Sequence, residues 1–203
     1  MKGMILKDFI NIKTQLVYYA AAALVFGAVS VVMNNIYFFC GFMLFISLGS
    51  LMSAMAYDEQ DRWAKFAVAS GVPRRKLVGE KYLLSLFLTI PVMLLGLVVV
   101  CLLAEQRTEG IYAVLMYGFL ALLMAAFIIP LFFRFGAEKA RVFFIVCFLA
   151  ATAIVTASMG IAEKAGGENF FLLGLIVVSA CAAAAFTISY FISLRIYIKK
   201  EFN

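Results

Sequence analysis

The sequence predicts an all-α, polytopic membrane protein with six transmembrane helices, an amphipathic N-terminal interfacial helix and a short cytoplasmic helix between the second and third spans. Three observations carry that prediction. Residues 16–33, 36–56, 82–104, 111–133, 142–162 and 170–194 are apolar runs without one Asp, Glu, Lys or Arg. Each is long enough, at 1.5 Å per residue, to cross about 30 Å of hydrocarbon as a helix. Helices are required because lipid satisfies no free backbone N–H or C=O. The chain of 203 residues is also 66% hydrophobic, well above a soluble domain. The third observation is that fifteen of the 17 Lys and Arg residues fall on one side of the resulting topology.

The basic residues assign that side. Lys2, Lys7 and Lys13 precede the first span. Arg62, Lys65, Arg74, Arg75, Lys76 and Lys81 lie between the second and third, Arg134, Lys139 and Arg141 between the fourth and fifth, and Arg195, Lys199 and Lys200 after the sixth. Only Arg107 and Lys164 lie opposite. By the positive-inside rule both termini are cytoplasmic. The net charge of +6 needs no nucleic-acid partner, since topology alone accounts for the excess. No cleavable signal peptide is expected, because the first apolar run lacks an obvious small-residue cleavage site. The chain therefore divides into a leading segment (1–15), two spans (16–56), a polar loop (57–81), two spans (82–133), a tight turn (134–141), two spans (142–194) and a tail (195–203).

In residues 1–15 a helical wheel puts Ile5, Leu6, Phe9, Ile10 and Ile12 on one broad face and Lys7, Asp8, Asn11, Thr14 and Gln15 on the other. Lys2 and Lys13 border the apolar arc, where their stems can snorkel. Such a helix rests on the membrane surface before the chain turns into the bilayer. In the polar loop Asp58, Glu59 and Asp61 suit the positive end of a helix of about three turns. Trp63, Phe66, Ala67 and Ser70 follow on one face, Gly71 stops the helix, and Pro73 begins the next. Two roles are open for Trp63 and Phe66: an anchor among lipid headgroups and an aromatic plug for a partner's groove. In the second cytoplasmic link Gly136 supplies the turn.

Within the spans there is no charge, hence no buried proton relay or ion pair. Pro91 and Pro130 are expected to kink the third and fourth spans. Small residues at four-residue spacing, Gly49 with Ser53, Ser50 with Ala54, and Thr152, Thr156 and Gly160, allow close helix approach. Cys40, Cys101, Cys147 and Cys181 read as small buried hydrophobes, with no CxxC pair. Histidine is absent, which removes its triads, metal sites and general bases. A membrane-embedded enzyme is therefore disfavoured. No GxxxxGK[ST] phosphate loop occurs, so the chain is not expected to hydrolyse ATP in the usual way.

Two motifs carry a resemblance. One is Ala56-Tyr57-Asp58-Glu59, then Trp63, Lys65 and Phe66, Pro73-Arg74-Arg75 and Glu80-Lys81-Tyr82. The other is Pro130-Leu131-Phe132-Phe133-Arg134-Phe135-Gly136-Ala137-Glu138-Lys139-Ala140-Arg141. Together with the six-span layout they resemble the ABC-2-type permease family, and most of all the compact bacterial permeases of phenol-soluble-modulin exporters. The resemblance implies a dimer paired with separate ATP-binding-cassette ATPase chains. It implies a coupling helix over residues 58–70, touching the ATPase through Asp58, Glu59, Arg62, Trp63 and Phe66, with Arg74 nearby. The turn at 134–141, with Arg134, Glu138 and Lys139, is the second contact. It also implies that ATP and Mg are held by the partner, with no cofactor bound directly.

The resulting expectation is a permease subunit in the bacterial plasma membrane that exports amphipathic or antimicrobial-type peptides. The alternative is a membrane anchor or immunity protein that holds a cytoplasmic ATPase without transport.

Overall fold

Each of the six uncharged runs falls, to within a residue, inside one helix, because a bilayer-spanning backbone has to satisfy its own hydrogen bonds. The computed structural model describes residues 2–33, 35–103, 107–165 and 168–199, with side chains except at 2, 36–38, 103, 151–152, 154–165 and 168–171. The helices in order are α1 (Lys2–Val32), α2 (Ile36–Gln60), α3 (Trp63–Ala69), α4 (Arg74–Leu103), α5 (Arg107–Phe135), α6 (Ala137–Ala165) and α7 (Glu168–Lys199). Among the described residues five helices are long and apolar enough to cross a membrane: α1, α2, α4, α5 and α7. The remaining expected span, 142–162, is helical within α6, but its side chains beyond 153 lie outside the described residues. The Thr152, Thr156 and Gly160 stripe falls there too.

The helices outlast their apolar runs. α1, at 31 residues, is about 46 Å long, against the ~30 Å of hydrocarbon its run has to cross. Most of the surplus lies at one end, where the start of α1, the end of α2, the start of α4, the α5–α6 turn and the end of α7 converge. The charge asymmetry of the sequence is thus a physical end of the bundle, with contacts linking Lys7 to Asp58, Glu59 to Ala137 and Arg74 to Tyr197.

The leading segment corrects one expectation. α1 is unbroken from Lys2 to Val32, so the chain makes no turn between a surface helix and the first span. Asp8, assigned to a solvated face, is fully buried, as is Ile12.

α5 is central and packs most extensively on α7, then on α4 and α2, while α1 lies outside against α2. Small residues set the spacing. A Cβ on Gly49 would come within 3.0 Å of the Tyr19 hydroxyl of α1, and Ser50 and Ala54 are buried, as the four-residue stripe in α2 predicts. A second row was not singled out from the sequence: Gly118 and Gly110 of α5 admit Met93 and Val100 of α4. Neutral hydroxyls add hydrogen bonds. Ser47 and Thr89 are 2.6 Å apart, and the Tyr82 hydroxyl lies 2.6 Å from Ser189 and 2.8 Å from Ser193. Pro91 and Pro130 sit inside helices that continue through them. Of the cysteines only Cys40 is buried; Cys101 and Cys181 are exposed on the outer surface, where the apolar spans meet lipid.

Candidate functional site

The charged end is built from short connections. α2 continues through Asp58 and Glu59 to Gln60, so the acids close the second span rather than open the next helix. The break is Arg62, which takes the left-handed conformation at φ 53°, a strain of ~1–2 kcal/mol for a side-chain-bearing residue. α3 then has seven residues, two turns instead of three. Its end is a Schellman cap: Val72 N–H donates to Ala67 O at 3.0 Å, Gly71 N–H donates to Val68 O at 3.1 Å, and Gly71 has φ +81°. Pro73 follows, directly ahead of α4. The dipole argument made for Glu59 holds for a different helix. Its carboxylate accepts the Ala137 N–H at 2.6 Å and so caps α6. Gly136, with φ +82°, leaves just the room this needs, since a Cβ there would lie 2.7 Å from Glu59 Oε1.

Beneath α3, two lysines and two aspartates from three helices form a clasp. Lys81 Nζ of α4 lies 2.6 Å from Asp8 Oδ2 of α1 and 2.5 Å from Asp58 Oδ2 of α2. Lys7 of α1 pairs with Asp58 and sits 2.9 Å from Asp8 Oδ1. The Lys7 ammonium also rests 4.5 Å from the centre of the Trp63 ring, which fixes α3 above the clasp through a cation–π contact. Burial opposes the charge on Lys81, but Asp58, Asp8 and Glu80 outweigh it and hold its pKa above the usual lysine range. Glu80 is the residue left over. It is fully buried, its carboxylate oxygens have no hydrogen-bond partner among the described residues, and Lys81 approaches only to 3.8 Å. Burial pushes its carboxyl up to about 7, against the pull of Lys81 and with the push of Asp8 and Asp58. Both Glu80 and Lys81 precede the uncharged run that starts at Tyr82.

The nine residues singled out from the sequence separate into two sets. Asp58 is consumed by the clasp and Trp63 is half-buried over it. Arg74 donates to the carbonyls of Tyr197, at 3.3 Å, and Ile198, capping the end of α7. Glu59, Arg62, Phe66, Arg134, Glu138 and Lys139 are exposed. Phe66 projects with 62% of its surface open, its ring 5.5 Å from that of Trp63. An open groove of about 610 Å³ runs between the end of α2 and the start of α6, bordered by Tyr57, Glu59, Glu138 and Lys139. Asp8, Lys7, Glu80 and Lys81 were not singled out as site residues. The available signal was position: Asp58 and Lys81 border uncharged spans on the same side of the bundle, and Asp8 lies in the leading segment on that side.

A bundle of long apolar helices whose charged extensions meet at one end, beneath a short capped helix, defines a multi-pass membrane protein. The family model for ABC-2 family transporter proteins matches residues 3–198, and the chain belongs to that family. It is accordingly a permease component of an ABC transporter, a class that works with an ATP-binding-cassette partner. No curated protein and no solved structure matches the chain.

Proposed function

We propose that this chain is the permease subunit of an ATP-driven exporter of amphipathic peptides, with its charged end in the cytoplasm. There α3 and the α5–α6 turn receive a separate ATPase subunit that holds ATP and Mg. The observation that carries the reading is Phe66, a large aromatic exposed on a helix too short to move independently. Its Schellman cap and the Lys7–Trp63 contact tie α3 to α1, α2 and α4, so a push on Phe66 passes to three helices as a rigid-body displacement. The exposed Arg134, Glu138 and Lys139 flank the second contact. Two copies, in a closed pair, give twelve helices for a peptide-sized route. The uncharged, aromatic-rich spans suit the apolar face of such a cargo.

The test is Phe66→Ala, co-expressed with a candidate ATP-binding-cassette ATPase subunit that the unmodified chain stimulates. The expected result is normal insertion with ATPase stimulation reduced about tenfold, in line with loss of one aromatic anchor. Trp63→Ala is expected to lose stimulation too, with some loss of stability because the ring also covers Lys7. Unchanged stimulation by Phe66→Ala rejects the docking face. ATP-dependent uptake of a labelled amphipathic peptide by inverted vesicles holding both chains tests transport itself. Intact stimulation without uptake favours the anchor or immunity reading instead.

A further inference from the structure

Between α2, α3, α4, α5 and α7 lies a cavity of about 100 Å³. Glu80 lines it, together with Trp63, Phe132, Phe133 and Tyr197. It shares Trp63 with the proposed docking helix but not the exposed Phe66 on which that argument rests.

The chemistry of its walls is specific. Asp58 and Lys81 also border the space, but they neutralise each other in the clasp, and Glu59 is spent on the α6 N-terminus. Glu80 remains, fully buried, with neither oxygen hydrogen-bonded among the described residues. A buried carboxylate left this way loses its hydration without replacement, unless a donor enters. Four of the residues lining the same cavity are aromatic, and aromatic ring faces attract cations. A planar cation with paired N–H donors satisfies both at once, binding the carboxylate through two hydrogen bonds and stacking on a ring. A volume of about 100 Å³ accommodates a head group of a few heavy atoms.

We propose that this cavity is a guanidinium-binding site, with the Glu80 carboxylate as its anchor and the aromatic walls as its sides. A site of this kind needs no partner subunit, so its test is independent of the transport reading. Trp63 is the single tryptophan of the chain, which makes intrinsic fluorescence a direct report from the cavity wall.

The experiment titrates methylguanidinium chloride into the full-length protein in lipid nanodiscs, against potassium chloride at matched ionic strength. The expected result is a saturable change in Trp63 emission with methylguanidinium alone. Glu80→Gln, which preserves shape and removes charge, is expected to weaken binding about tenfold to a hundredfold. Asp61→Asn, an exposed acid outside the cavity, is expected to bind as wild type. In the unmodified protein, affinity is expected to rise as pH increases through about 7, as the carboxylate facing Lys81, Lys7, Asp8 and Asp58 ionises. That arm needs no variant to fold. An unsaturable response, one that potassium reproduces, equal binding by Glu80→Gln, or affinity independent of pH each overturns the proposal.

Discussion

The two ends of the connection between α1 and the rest of the bundle are held by opposite means. At the charged end a handful of charge-assisted bonds joins α1, α2 and α4, and each participating atom has a named counterpart. In the uncharged body the same helices meet through the close approach of Gly49 to Tyr19 and the Ser47–Thr89 hydroxyl pair, where many weak contacts share the load. The first kind of joint is strong and brittle, because removing one member strands a buried charge. The second is tolerant, because no atom in it is irreplaceable.

Breaking the clasp gives the largest effect. Lys81→Met leaves Asp8 and Asp58 with Lys7 alone, and a loss of about 3–5 kcal/mol is expected. Thermal unfolding in detergent measures it, and adding Asp8→Asn is expected to restore part of the loss. A Lys81→Met variant as stable as wild type would show that the joint is not electrostatic.

The turn comes next. Gly136→Ala forces a side chain into φ +82° and against Glu59, so a loss of about 1–3 kcal/mol is expected in the same assay. Glu59→Ala in that background should then add less than it does alone, because the cap is already displaced.

Glu80 sharpens the comparison through its sign. Its folded pKa is about 7, above the ordinary carboxylate value of 4.5. The stability this contributes is complete below pH 4.5 and is lost as pH rises through about 7. Glu80→Gln is expected to flatten that fall and to melt higher than wild type at pH 8, with the gap closing by pH 5. A parallel pH profile for the two proteins would contradict the assignment. Ser50→Ala gives the smallest effect. The buried Ser50 hydroxyl has no hydrogen-bond partner among the described residues, so a change within about 0.5 kcal/mol is expected.

The helices were legible in the sequence because exclusion of charge from hydrocarbon is a one-dimensional signal. So were Gly71, Gly136 and Pro73, whose backbone requirements are local. The clasp was not, because Asp8 and Lys81 are 73 residues apart and their pairing depends on how α1 lies against α4. A helical wheel assigns Asp8 to water when no neighbour is known. The acids of 58–61 misled for a related reason. Carboxylates do favour helix N-termini, but Glu59 serves the start of α6, 78 residues on. Arg74 likewise reads as a surface cation until the last carbonyls of α7 arrive beside it. Local rules gave the right chemistry and could not name the recipient.

The clasp also imposes an order on biosynthesis. Once the ribosome has made residue 58, the two carboxylates of the clasp share the single ammonium of Lys7, and the clasp is one positive charge short. Only when residue 81 emerges does the count balance. A chain that stalls between those points has this joint one ammonium short, so the first turns of α4 supply the group that closes the contact between the two earlier helices.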